Sequence, residues 1–75
     1  MPGIEMVKCR VKIDHETERA WLINRSMNPH HRSDWIPKRL VQLEHMPDGR
    51  IFALMSRRLA EDYRLIDEYT EEVVA

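Results

Sequence analysis

Lys8, Arg10 and Lys12 alternate with Val7, Cys9, Val11 and Ile13 in one uninterrupted run. Successive side chains of an extended strand point to opposite faces, so this spacing puts three cations on one face and the apolar residues on the other. At a rise of ~3.4 Å per residue the cations stand about 6.8 Å apart. The chemistry such a row offers is recognition of negative charge. It suits a solvated outer face, an acidic protein surface, or the phosphates of a nucleic acid with Trp21 or Trp35 as a stacking platform. The row itself names no reaction.

Other groups add candidates. The Ser56 hydroxyl is placed to cap a helix start, and Arg57 and Arg58 would then fill the first helical turn. Cations there oppose the helix dipole by ~0.3–1 kcal/mol each. A locally unfavourable choice of this kind marks either a binding residue or ordinary surface tolerance. Trp35, in Trp35-Ile36-Pro37, is either a ring packed on a sheet or an exposed anchor of the type enriched at binding hot spots. The candidate partner-binding set is therefore Lys8, Arg10, Lys12, Trp35, Arg57 and Arg58.

The carboxylates Glu61, Asp62, Asp67, Glu68, Glu71 and Glu72 form an acidic C-terminal segment. It reads as a solvated face, or as an imitation of phosphate charge offered to a basic groove. His30-His31, with His15, His45, Cys9 and Asp34, invites a metal reading. The spacing opposes it: there is no Cys-x-x-Cys and no His pair three to five residues apart, as zinc sites use. Ser26, Ser33 and Ser56 lack a nucleophile context, and Gly3 and Gly49 alone make no phosphate-cradling loop. The expectation is a protein without catalysis, cofactor or metal.

The elements that must position these residues are few. Seventy-five residues make one domain with a small core. A net charge of −1 argues against a dedicated nucleic-acid binder, which is usually basic. The single Cys9 excludes an intramolecular disulfide framework and points to a reducing compartment, with the thiol buried as a small hydrophobe. No leader and no run near the ~20 apolar residues of a membrane span is seen, so a soluble, cytoplasmic protein is expected.

A first strand is predicted from about Ile4 to Ile13. A polar turn over Asp14-His15-Glu16-Thr17 and a second strand over Glu18–Ile23 complete a hairpin. Residues 24–34, with Asn28-Pro29, read as an exposed loop. Pro37 places a bend or strand edge after Trp35. A third strand around Val41–His45 and a fourth over Arg50–Met55 flank Pro47-Asp48-Gly49, a strong turn signal. Leu59, Tyr63 and Ile66 then recur at helical spacing, which predicts a helix from about Arg57 to Tyr69 and a frayed tail at 70–75. The predicted class is α+β: an antiparallel sheet or partly closed barrel of about four strands, followed by one C-terminal helix. An unpaired sheet edge would leave room for a homodimer.

Three segments carry a resemblance: Glu18-Arg19-Ala20-Trp21-Leu22-Ile23, Trp35-Ile36-Pro37-Lys38-Arg39-Leu40-Val41 and Leu59-Ala60-Glu61. Together they resemble small phage and prophage proteins in which an Ala-x-Leu-Ile/Val strand precedes Trp-Ile-Pro-Lys-Ser and a helix near Leu-Ala-Glu. Arg39 stands where that pattern has Ser, and the loop before Asp34 is longer than in the pattern. The resemblance spans about residues 18–66. It implies a phage protein acting inside a bacterial cell on a host protein or ribonucleoprotein complex, as an anti-CRISPR-type inhibitor of host defence does. A small nucleic-acid-binding protein that uses the basic face of the first strand is the alternative.

Overall fold

The structure is a computed structural model, which describes residues 5–25, 33–68 and 70–73. The Val7–Ile13 alternation folds as the central strand, β1 (Met6–Glu16). A turn closed by Thr17 leads to β2 (Ala20–Arg25), and β3 (Asp34–Pro37) pairs on the far side of β2. Pro37 ends β3 and opens a 3-10 turn, Lys38–Leu40, which enters β4 (Gln42–His45). Gly49 sits at φ 93°, a conformation that suits glycine, in the turn to β5 (Ile51–Ser56). A helix, α1 (Arg57–Asp62), and a short strand, β6 (Glu71–Val73), complete the chain.

The strands form one antiparallel, open sheet in the order β3-β2-β1-β5-β4. On one side β5 covers Met6–Val11 of β1. On its other side β6 pairs with Met6–Lys8 and β2 with Val11–Glu16. Val7, Cys9, Val11, Ile23, Ile36, Ala53 and Met55 are buried on one sheet face, beneath Ala60 of α1 and Leu65. The alternation of β1 thus has the expected sense, and Cys9 is a buried member of the core.

The predicted α+β class does not hold. Among the described residues, six strands and a single helix of six residues make this a β-sheet protein, and β6 follows the helix. Ser56 caps α1 as expected, its Oγ accepting from the Leu59 N–H at 3.2 Å. The helix stops at Asp62 because Arg64 turns to φ 56°. The Leu65 N–H then donates to Ala60 C=O at 2.8 Å and the Arg64 N–H to Glu61 C=O at 3.0 Å. That pair of bonds is a Schellman closure, and it drops Leu65 into the core over Ala60. The apolar spacing of Leu59, Tyr63 and Ile66 is therefore not one helical stripe. It is split by a left-handed residue, and the segment expected to fray contributes β6.

Arg64 occupies the position glycine favours. Left-handed backbone costs a non-glycine residue roughly 1–2 kcal/mol, and glycine's greater freedom in the unfolded chain returns part of that. Arg64→Gly is expected to stabilise the domain by about 0.5–1 kcal/mol, read as a higher urea midpoint.

The predicted loop at 24–34 is shorter among the described residues: Asn24 and Arg25 extend β2, and Asp34 begins β3. Residues 26–32, with His30 and His31, lie outside the described residues.

Candidate binding face

One face of the sheet carries the core, and the other carries the cations. A bulge modifies the second face. Ile13 pairs with Ile23 but His15 pairs with Leu22, so Asp14 is an extra residue and the alternation of β1 reverses beyond it. The reversal places His15 on the same face as Lys8, Arg10 and Lys12, and sends Glu16 to the core side beside Trp21. Across the strands His15, Leu22 and Trp35 form one row. Lys12 stands opposite Asn24, and Arg10 opposite Phe52.

The charges on this face are not equivalent. Lys8 Nζ lies 3.3 Å from Glu44 Oε2 and 4.8 Å from the centroid of the Phe52 ring between them. Its charge is thus spent within the sheet. Arg50 approaches the same ring at 5.6 Å and pairs with Asp48. Arg10 and Lys12 have no ion pair within 4.0 Å among the described residues, and Lys12 contributes to the low pKa of Asp14. The Asp14 carboxyl is held below the usual aspartate range mainly by the hydroxyl of Ser33, with Asn24 also donating to it. This network ties the bulge to β2 and to the residue before β3.

Trp35 is 46% exposed on the edge strand β3. Its ring meets His15 edge-on, with centroids 6.0 Å apart and planes at 83°. The bulge therefore supplies the support beneath the tryptophan. Trp35, Arg10 and Lys12 share one face, with half-buried Leu22 between the indole and the strand of cations.

Three other predicted site residues are already partnered or lie elsewhere. Arg57 donates through Nε to Glu5 at 2.7 Å and through Nη2 to Glu72 at 2.6 Å. It is a clamp between β6, the entry to β1 and the helix start, which explains a cation in the first turn. Arg58 is exposed on α1, an element packed on the core side, so it does not join the face of Arg10 and Trp35. Lys8, although on the predicted face, is neutralised by Glu44. The residues that sequence reading passed over are His15, Leu22 and Phe52. The alternation of Phe52-Ala53-Leu54-Met55 could have found Phe52; a bulge has no comparable signal.

Among the described residues no group of three or more His, Cys, Asp and Glu is placed to hold a metal ion. Burial pushes the Cys9 thiol above its ordinary range, and the Thr70 hydroxyl lies 3.9 Å from its sulfur. Cys9 is expected to react with a thiol reagent roughly two hundredfold to five thousandfold more slowly than free cysteine. That factor corresponds to the ~3–5 kcal/mol needed to open a domain of this size. The rate should rise to the free value in urea.

No family model matches the chain, and no curated protein and no solved structure matches it at a significant level. Among the described residues no helix is long and apolar enough to cross a membrane.

Proposed function

We propose that this protein is a non-catalytic binding module that docks an acidic protein surface on the outer face of β1, β2 and β3. Trp35 is the apolar anchor, and Arg10 and Lys12 steer and pair with the partner's carboxylates. The observation that supports this reading is the half-exposed indole of Trp35, set against His15 and sharing its face with two cations that have no ion pair among the described residues. Aromatic anchors beside arginine are the combination enriched at binding hot spots. The protein reading is favoured over the nucleic-acid one because Glu44 and Asp48 already neutralise Lys8 and Arg50 on that face. The resemblance to phage proteins supplies the setting: the partner is a host protein or ribonucleoprotein complex in a bacterial cell, and the binding is inhibitory, as in anti-CRISPR proteins.

Affinity capture from nuclease-treated bacterial lysate tests this, with wild type compared to an Arg10→Glu, Lys12→Glu, Trp35→Ala variant. Wild type is expected to retain a discrete protein that the variant loses. Equal capture by both would overturn the assignment of this face, and capture that disappears with nuclease treatment would return the nucleic-acid reading.

A further inference from the structure

The two outermost strands of the open sheet, β3 and β4, follow one another in the chain through the 3-10 turn. Away from β5, the edge of β4 pairs with no strand among the described residues. The ladder fixes which of its backbone groups are free. The Met46 N–H donates to the Arg50 carbonyl at 2.8 Å, so Met46 and Arg50 form a hydrogen-bonded pair. Such pairs alternate along an antiparallel ladder. Counting back along the register, Glu44 and Gln42 turn their N–H and C=O groups to Phe52 and Leu54. Leu43 and His45 turn theirs outward, into space.

Beside that edge lies an open cleft of about 850 Å³. Ile13, Trp21, Leu43 and Ile51 supply its apolar lining, and Lys38 and Arg39 stand over it. Lys38 reaches Glu16 and holds its ammonium 5.3 Å from the Trp21 ring centroid. Exposed Arg39 has no acidic partner within 4.0 Å among the described residues. Neither has Arg19, which lines an adjoining hollow with Arg39. The cleft is thus apolar at its floor and carries unmatched positive charge at its rim.

We propose that the β4 edge is a strand-addition site for an extended acidic segment of a protein partner. Main-chain bonds to Leu43 and His45 supply the affinity, as in other strand additions, and a side-chain pocket beside the edge supplies the selection. Alternate apolar side chains of the incoming segment enter the cleft over Trp21, and its carboxylates meet Arg39 and Arg19. This surface extends the proposed protein-binding role to a second contact. It uses none of Arg10, Lys12 or Trp35, so the two stand or fall separately.

The test uses the full chain and three labelled peptides: one alternating Glu with Val, its Lys-for-Glu counterpart, and the Glu peptide N-methylated on alternate amides. Fluorescence anisotropy is expected to show the Glu peptide bound at least about tenfold more tightly than the Lys peptide, a difference of ~1.4 kcal/mol. N-methylation should abolish binding, and Arg39→Glu should remove the preference for acid. By hydrogen exchange, the Leu43 and His45 amides should be open in the isolated protein and protected in the complex, while the Glu44 amide is protected in both. Equal binding of the Glu and Lys peptides, or binding of neither, would overturn the proposal. So would Leu43 and His45 amides whose protection grows with protein concentration, since a second copy of the chain would then occupy the edge.

Discussion

Replacing Ile36 by Ala is expected to destabilise the domain by about 2–5 kcal/mol, the cost of truncating a fully buried branched side chain. Ile36 is fully buried and is the only buried residue of β3. Its neighbours in the strand are half-buried or exposed, so β3 has little else to hold it against β2. A domain of this length has roughly 3–5 kcal/mol in total, and the substitution removes most of that. Thermal melting should fall by at least about 10 °C, given 4–8 °C per kcal/mol for 60–100 residues. The effect reaches the candidate binding face as well, because Trp35 is carried by the same four-residue strand. A melting point within a few degrees of wild type would show that β3 is held in another way.

Arg25→Met is expected to be the second large effect. Arg25 shares the core side of the sheet with its partner Val11. Its Nη2 donates to the carbonyl of Arg64 and, at 3.2 Å, to that of Ile66. The guanidinium thereby holds the segment that follows the Schellman turn, where Leu65 enters the core. Methionine keeps the aliphatic stem but removes the donors. Bonds to a charged donor contribute ~1.5–3 kcal/mol, so about 2 kcal/mol should be lost, with the amides of residues 65–68 exchanging faster than those of β1 and β5. Arg25→Lys should recover part of this. Equal stability of Arg25→Met and wild type would remove the clamp from the account of how α1 is closed.

Arg25 also marks where the sequence stopped being readable. Features set by neighbours in the chain were legible: the alternation of Val7 to Ile13, the Pro47-Asp48-Gly49 turn and the Ser56 cap. Features set by distant partners were not. Arg57 looks like an exposed cation in an unfavourable helical turn until Glu5 and Glu72 arrive from opposite ends of the chain. Lys8 looks like Arg10 and Lys12 until β5 brings β4, and with it Glu44, within reach. The α+β expectation failed for a related reason. Leu59, Tyr63 and Ile66 satisfy helical spacing, and nothing local announces that Arg64 takes a left-handed conformation that glycine would ordinarily fill. Asp14-His15-Glu16-Thr17 has the composition of a turn, yet the bulge at Asp14 keeps β1 extended and sets His15 against Trp35. The face of the candidate site could thus be read from the sequence, and its membership could not.

The stacking of Lys8 and Arg50 on Phe52 gives that face a second character. Exposed ion pairs contribute only ~0.2–1 kcal/mol each, so these cations add little to the stability of the fold. Arg10 lies between them with its charge uncompensated by a neighbour within 4.0 Å among the described residues. A partner's carboxylate placed over Arg10 would complete the alternation of charges across β1, β5 and β4. Lys12 and Trp35 lie on the same face toward β3.

Association kinetics of the captured partner, measured over a series of salt concentrations, test the binding face most directly. The Arg10→Glu, Lys12→Glu variant should associate roughly tenfold more slowly than wild type at low salt, with an unchanged melting temperature, and the difference should close as salt screens the charges. Equal association rates for the two proteins at every salt concentration would contradict the account.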